Sequence, residues 1–311
     1  MPLETVTPGQ IAIAAERLRA GELVAFPTET VYGLGANALD AAAVEKIYVA
    51  KGRPSTSPLI VHVANTAMAK TLVSEWPPLA ERLAALYWPG PLTMVLPKRP
   101  SIPDAVTAGL PTVGIRVPKH PVALALLEAA QIPVAAPSAN RFTELSPTTA
   151  DHVRKSFGDA FPILDGGPSD VGIESTVIAI DGDSIVLLRP GMISLEELRT
   201  YASDVRVAAD PGASESHASP GQHQKHYSPR TPLHMGAPQS FGRGAYLYYS
   251  EPVKSDRSIR MPRDPASYAA HLYETLHALD AEGLDWMAVE PLPDTTEWDA
   301  IRDRLHRAAI R

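Results

Sequence analysis

Short apolar runs at Leu23–Phe26, Leu59–Val63, Met94–Leu96, Val113–Val117, Val134–Ala136, Val177–Ile180 and Ile185–Leu188 constrain this chain more than any other feature. Each is too short for a helix that buries a face. Several are rich in β-branched residues and are closed by proline, glycine or polar residues, so they read as strands. Helical patterns stand between some of them, at Asp40–Ala50, Leu79–Leu86, Val122–Ala130 and Thr149–Phe157. Ahead of them, Thr7-Pro8 caps a helix whose apolar face is Ile11, Ala14, Ala15 and Leu18 and which stops before Gly21. The predicted fold class is α/β, a twisted mixed sheet flanked by helices, because the uneven alternation argues against a regular barrel or a simple doubly wound sheet.

The 311 residues suffice for two domains. After Leu195–Tyr201 the pattern decays into a polar, small-residue stretch from Asp210-Pro211-Gly212 to Ser219-Pro220-Gly221, the composition of a linker. Beyond it, Ala245–Tyr249, Tyr268–Leu279, Trp286–Val289 and Trp298–Ala308 give a βαβα pattern, read as a small Rossmann-like α/β domain. The expected division is 1–205, a linker or lid over 206–232, and a second domain over 233–311.

Composition narrows the function classes. With no cysteine, disulfides, thiolate metal sites and a cysteine nucleophile are excluded together. A net charge of −7 opposes standing affinity for nucleic acid. Screening over about 8 Å still lets a few cations in a cleft hold an anionic ligand. The acidic start Met1-Pro2-Leu3-Glu4 is unlike a signal peptide, and no window reaches the ~18 apolar residues of a membrane span. The expectation is a cytoplasmic protein without membrane association.

No Walker-type loop, His-Glu-x-x-His or Gly-x-Ser-x-Gly occurs. Gly33-Leu34-Gly35-Ala36-Asn37-Ala38 matches a dinucleotide fingerprint, but Arg53 stands where a ribose-binding carboxylate belongs. His223 and His226 could share a metal, yet no further ligand set accompanies them. More informative is Lys51-Gly52-Arg53-Pro54, two cations about a turn glycine before a strand, an arrangement that suits polyphosphate. Pro137-Ser138-Ala139-Asn140 offers neutral donors at the carboxyl end of another strand. Pro27–Gly33 places hydroxyls and a carboxylate between a strand and a glycine-rich turn, and Asp165-Gly166-Gly167 and Gly172–Val177 repeat the arrangement. Arg116 and Arg189, at apolar strands, need anionic partners.

With these residues assembled, the chain closely resembles the threonylcarbamoyl-AMP synthases, the YrdC-like family in its long form. The likeness rests on Pro27–Gly33, Lys51-x-Arg53 with Pro58–His62, Gly90-Pro91-Leu92-Thr93, Ser138-x-Asn140 with Ser146-Pro147-Thr148, Gly172–Val177, Arg189-Pro190-Gly191, and Ser219-Pro220-Gly221 with His226-Tyr227-Ser228-Pro229. It implies a YrdC-like sheet and a reaction of L-threonine, bicarbonate and ATP that yields threonylcarbamoyl-AMP and pyrophosphate. That product would supply tRNA threonylcarbamoyl-transfer proteins acting next to the anticodon. It further implies nucleotide contacts from Lys51, Arg53, Ser57, Thr112, Ser138, Asn140, Ser146, Arg189 and Tyr227, and threonine contacts from Thr30, His62, Arg116, Ala136 and Ser175. Lys51, Arg53 and His62 are the catalytic candidates, His62 as a general base. Mg2+ is expected with ATP, without nominated protein ligands. The linker departs from relatives in placing Gln222-His223-Gln224 before Lys225-His226-Tyr227. Tyr227 keeps its register, so the linker is expected to fold over the nucleotide as a lid. Two alternatives are an RNA-binding module of the same fold, opposed by the acidic charge and 6% aromatic content, and a carbamoyltransferase with another acceptor.

Overall fold

The computed structural model describes residues 6–209, 226–253 and 255–309. The first unit runs α1 (Pro8–Arg19), β1 (Val24–Phe26), β2 (Gly33–Asn37), α2 (Ala41–Lys51), β3 (Ile60–His62), α3 (Thr66–Leu72), α4 (Pro78–Tyr87), β4 (Leu92–Pro97), α5 (Asp104–Thr107), β5 (Thr112–Arg116), α6 (Pro121–Ala130), β6 (Val134–Ala135), α7 (Ala150–Phe157), β7 (Thr176–Asp181), β8 (Ser184–Arg189), α8 (Leu195–Leu198) and β9 (Asp204–Val207). The second runs β10 (Leu233–Met235), β11 (Gly244–Tyr248), β12 (Arg257–Arg260), α9 (Pro265–Asp280), β13 (Trp286–Val289) and α10 (Asp299–Ala309). Caps set several helix ends. The Thr7 side chain and Gln10 form a reciprocal capping box on α1, and the Asp40 carboxylate accepts from the amides of Ala42 and Ala43 on α2.

The larger sheet has nine strands in the order β1-β2-β6-β3-β5-β4-β7-β8-β9 and is mixed, with β3/β5, β4/β7 and β8/β9 parallel and the other pairs antiparallel. Alternation divides its faces. Val61, Val113, Ile115, Met94 and Leu96 join the main apolar core, whereas Ile60, His62, Gly114, Arg116, Thr93 and Val95 fall on the opposite face. The smaller sheet, β10-β13-β11-β12, is parallel throughout. Its core is continuous with the first unit: Val31, Leu145, Ile173 and Tyr227 belong to the same buried cluster as Leu272, Leu276, Ile301 and Leu305.

Three sequence expectations change. Gly33–Asn37 is a strand, not a glycine-rich turn; a Cβ on Gly35 would lie 2.8 Å from Val134 and 2.9 Å from Phe26, so this glycine serves close strand packing. The sheet also continues past the point where the pattern decays, through β9, and the second unit holds four strands because β10 and β12 are present as well. The linker stretch 210–225, including Ser219-Pro220-Gly221, Gln222–Lys225 and the candidate ligand His223, lies outside the described residues. Among the described residues, no helix is long and apolar enough to cross a membrane.

Candidate active site

The polar face of the larger sheet borders a cavity. Register builds its first corner: β3 and β5 are parallel with His62 opposite Arg116, so an imidazole and a guanidinium stand side by side where their neighbours Val61 and Ile115 point into the core. Arg116 is 3% exposed, and its partners come from distant segments. Nε donates to the Gly90 carbonyl at 3.1 Å, Nη1 to Thr30 Oγ1 at 2.8 Å, and Nη2 meets Glu29 Oε1 at 2.7 Å. Glu29 Oε2 in turn accepts from the Lys119 amide at 3.0 Å. A guanidinium carries five N–H groups, so the hydrogen bonds from Nε and Nη1 leave N–H groups on both terminal nitrogens, the kind of pair that a carboxylate takes in bidentate fashion.

His62 is buried against the edge of Phe26, and among the described residues its Nδ1 has no hydrogen-bond partner. Burial, reinforced by the positive charge of Arg116, pushes its pKa down to about 3, so the ring is neutral near pH 7. Thr30 and Ser175 place hydroxyls on the same cavity, and Ser175 Oγ lies 2.8 Å from Thr93 Oγ1. Ala136, immediately after β6, lines the wall with no polar side-chain group.

The second corner is cationic. The αL conformation of Gly52 (φ 63°) ends α2 and turns the chain from Lys51 to Arg53. Arg53 lines the cavity; its Nη2 donates to the Ser57 hydroxyl and, at 3.1 Å, to the Pro58 carbonyl, and burial lowers its pKa to about 10. Lys51 stands behind it. Its ammonium donates to the carbonyls of Ser138, at 2.6 Å, and Asn140, holding the loop after β6 against α2, and burial lowers its pKa well below the usual lysine value. Ser138 lines the cavity and bridges to Gly33. Asn140 braces its own loop by donating to the carbonyls of Arg141 and Glu144. Arg189, at the end of β8, lines the wall and donates from Nε to the Ser175 carbonyl and from Nη2 to Ser175 Oγ, both at 3.1 Å.

Tyr227 closes the cavity. It is buried at φ 59°, a left-handed conformation that few non-glycine residues adopt, and its hydroxyl has no partner among the described residues. The cavity thus gathers Thr30, Arg53, His62, Arg116, Ala136, Ser138, Ser175, Arg189 and Tyr227, while Lys51, Ser57, Asn140 and Ser146 support it from behind. Thr112 is placed differently: it lines an adjacent apolar groove with Val95 and Val177, sharing only Ile60 with the central cavity.

Sequence reasoning gave no role to Glu29, Glu174 or Arg304. Glu29 pairs with Arg116, and Glu174 takes the hydroxyls of Ser146 and Tyr273 and the guanidinium of Arg304. The available signal was the demand of a strand-borne arginine for an anion, which the sequence reading met with a ligand although an internal carboxylate also supplies it.

Comparison with known proteins places these features in a family. The Sua5/YciO/YrdC family (Telomere recombination) matches residues 16–191, and "Threonylcarbamoyl-AMP synthase, C-terminal domain" matches residues 193–310. Threonylcarbamoyl-AMP synthase of Bacillus subtilis is 43% identical over 327 residues, covering 96% of this chain and 93% of the relative. The synthase of Schizosaccharomyces pombe is 37% identical, covering 92% of this chain and 84% of its own. The crystal structure of Pyrococcus abyssi Sua5 complexed with L-threonine superposes with a TM-score of 0.92 at 37% identity, covering 98% of this chain and 96% of the other. The chain therefore belongs to the Sua5 family in its long form, a Sua5/YciO/YrdC domain followed by the Sua5 C-terminal domain.

Proposed function

We propose that this cavity makes threonylcarbamoyl-AMP and pyrophosphate from L-threonine, bicarbonate and ATP, for threonylcarbamoyladenosine formation in tRNA. One observation carries the reading: the guanidinium of Arg116, the candidate for a substrate carboxylate, lines the same cavity as the phosphate-binding candidates Arg53 and Arg189. Relatives named as threonylcarbamoyl-AMP synthases over nearly the whole chain support it, and they do not favour the RNA-binding or alternative carbamoyltransferase readings.

In this reading Arg116 takes the threonine carboxylate, while Thr30 and Ser175 orient the amine and hydroxyl and Ala136 shapes the wall. The neutral His62 accepts a hydrogen bond from the amine; burial disfavours a second proton on the ring, so its role is orientation more than proton storage. The deprotonated amine adds to the carbon of bicarbonate, releasing water and giving a carbamate. A carbamate oxygen then attacks the α-phosphorus in line, and pyrophosphate leaves. No covalent enzyme intermediate is needed, so catalysis rests on positioning and on charge from Arg53 and Arg189, with Lys51 holding the loop that carries Ser138 and Asn140. Ser57, Ser138, Asn140 and Ser146 complete the nucleotide side, and Tyr227 shields it from water.

Magnesium enters as part of the nucleotide substrate. Among the described residues no group of three metal-binding side chains exists, and the carboxylates of Glu29 and Glu174 are already committed to arginines, so these residues do not fit a resident magnesium site. The activity test is pyrophosphate release with each substrate omitted in turn. Release is expected only when L-threonine and bicarbonate are both present; equal release with L-serine, or with no amino acid, would contradict the assignment.

A further inference from the structure

Arg304, on α10 of the second unit, is 1% exposed. Its Nε donates to Glu174 Oε2 at 2.8 Å, its Nη2 to the Glu174 carbonyl at 3.3 Å, and its Nη1 to the carbonyl of Pro190, the residue after Arg189, at 2.9 Å. Asp303 receives a further bond from Nη1 at 2.9 Å, and the guanidinium lies 5.3 Å from the centre of the Tyr227 ring. Glu174 lines the cavity together with Arg189, directly before Ser175. A carboxylate is thus built into the wall where phosphates are to be held. Burial opposes its ionisation, but Arg304 and then Arg189 outweigh that and hold its pKa below the usual carboxylate value. With Arg304 removed, Glu174 would lose the guanidinium bonded to it and its charge would repel an incoming phosphate.

We propose that Arg304 is a positioning residue for the reaction: by neutralising Glu174 from behind, α10 keeps that wall carboxylate from repelling the phosphates of the nucleotide and fixes Tyr227 across it. The inference rests on the reading above that Arg189 meets the nucleotide. A buried ion pair contributes little net stability compared with apolar packing of the same volume. The shared apolar cluster already joins the units, so the pair serves the charge balance of the wall.

The test uses the full chain in three forms, Arg304→Gln, the double variant Glu174→Gln with Arg304→Gln, and Arg189→Ala, each followed by KM for ATP, KM for L-threonine, kcat and thermal unfolding. Arg304→Gln is expected to raise KM for ATP about tenfold while KM for threonine stays within about threefold, and the double variant to return KM for ATP to within about threefold of the unsubstituted protein. A purely structural role would instead move KM for ATP and KM for threonine together, in step with the thermal unfolding. A double variant no better than the single one, or a single variant with unchanged KM for ATP, would overturn the proposal. If Arg304→Gln does not fold, the double variant decides by the same KM criterion; a double variant that also fails to fold makes the pair a scaffold element and overturns the proposal too. An unchanged KM for ATP in Arg189→Ala would instead overturn the parent reading.

Discussion

The two sheets treat their polar groups in opposite ways. In open parallel sheets, ligands usually bind in the crevice at the carboxyl ends of the strands. In the second unit the strand order reverses between β11 and β13, and their carboxyl ends are tied together: Glu290, after β13, accepts from the amides of Tyr249 at 2.7 Å and Ser250 at 3.0 Å and from the Ser250 hydroxyl. Burial works against its charge, but these donors outweigh it and hold its pKa below the usual value. In the first unit, by contrast, the mixed sheet turns a whole polar face toward the cavity. Among the described residues, helices of the smaller unit brace that cavity from behind, with Tyr273 bonded to Glu174, His277 Nε2 3.1 Å from the Ser146 carbonyl, and Arg304 paired with Glu174. At this strand end the chain's own carboxylate occupies the loop amides, whereas the polar face of the first unit lines a cavity.

The contrast breaks most sharply at Arg116. Arg116→Ala is expected to lower kcat/KM for threonine by about a hundredfold or more, since a buried charge-assisted pair is lost, while ATP binding measured by calorimetry stays within about threefold. Equal loss of both affinities would mean that the two corners of the cavity are not separate. Next in size is Glu29→Ala, which leaves Arg116 buried without its anion and should lower unfolding free energy by about 3 kcal/mol in urea titrations. A neutral result would show that the pair is not what holds the guanidinium in place.

Much of the first corner was legible because charge interrupts apolar runs: His62 within Leu59–Val63 and Arg116 within Val113–Val117 announce themselves. The Lys51-Gly52-Arg53 turn was legible from its αL glycine. The edge strands were not, for a physical reason. Along β9 and β12 most residues are half or fully exposed, so no apolar alternation marks them. The short α3 buries only Ala69 and Leu72, too little for a helical period. Nor could the ion pairs Arg116–Glu29 and Arg304–Glu174 be read, because each joins segments far apart in sequence and spacing carries no information about them.

Acid stability sharpens the comparison at the interface between the units. His152 and His277 stack there with ring centroids 3.8 Å apart, their pKa values lowered by burial to about 3 and about 4, as that of His62 is to about 3. Each ring binds a proton in the unfolded chain below its ordinary value of about 6.5 but not in the folded one. Stability is therefore expected to be level above pH 6.5 and to fall as pH drops toward 4, by up to about 1.4 kcal/mol per pH unit and histidine. The change is measured as the urea midpoint across pH. His277→Asn should flatten part of that slope; an unaltered slope would mean that the stacked pair does not titrate with unfolding. The smallest effect belongs to Glu290. Glu290→Gln should leave turnover within about twofold, because that carboxylate ties the loop after β11 and does not line the cavity. A large loss of nucleotide affinity there would give the second unit a binding role after all.

The most direct measurement of a joint amino-acid and nucleotide cavity is the mass of the adenylated product formed with carbon-13 bicarbonate. The expected product contains AMP, L-threonine and the labelled carbon together. An adenylate that lacks the label, or that forms without threonine, would contradict the account.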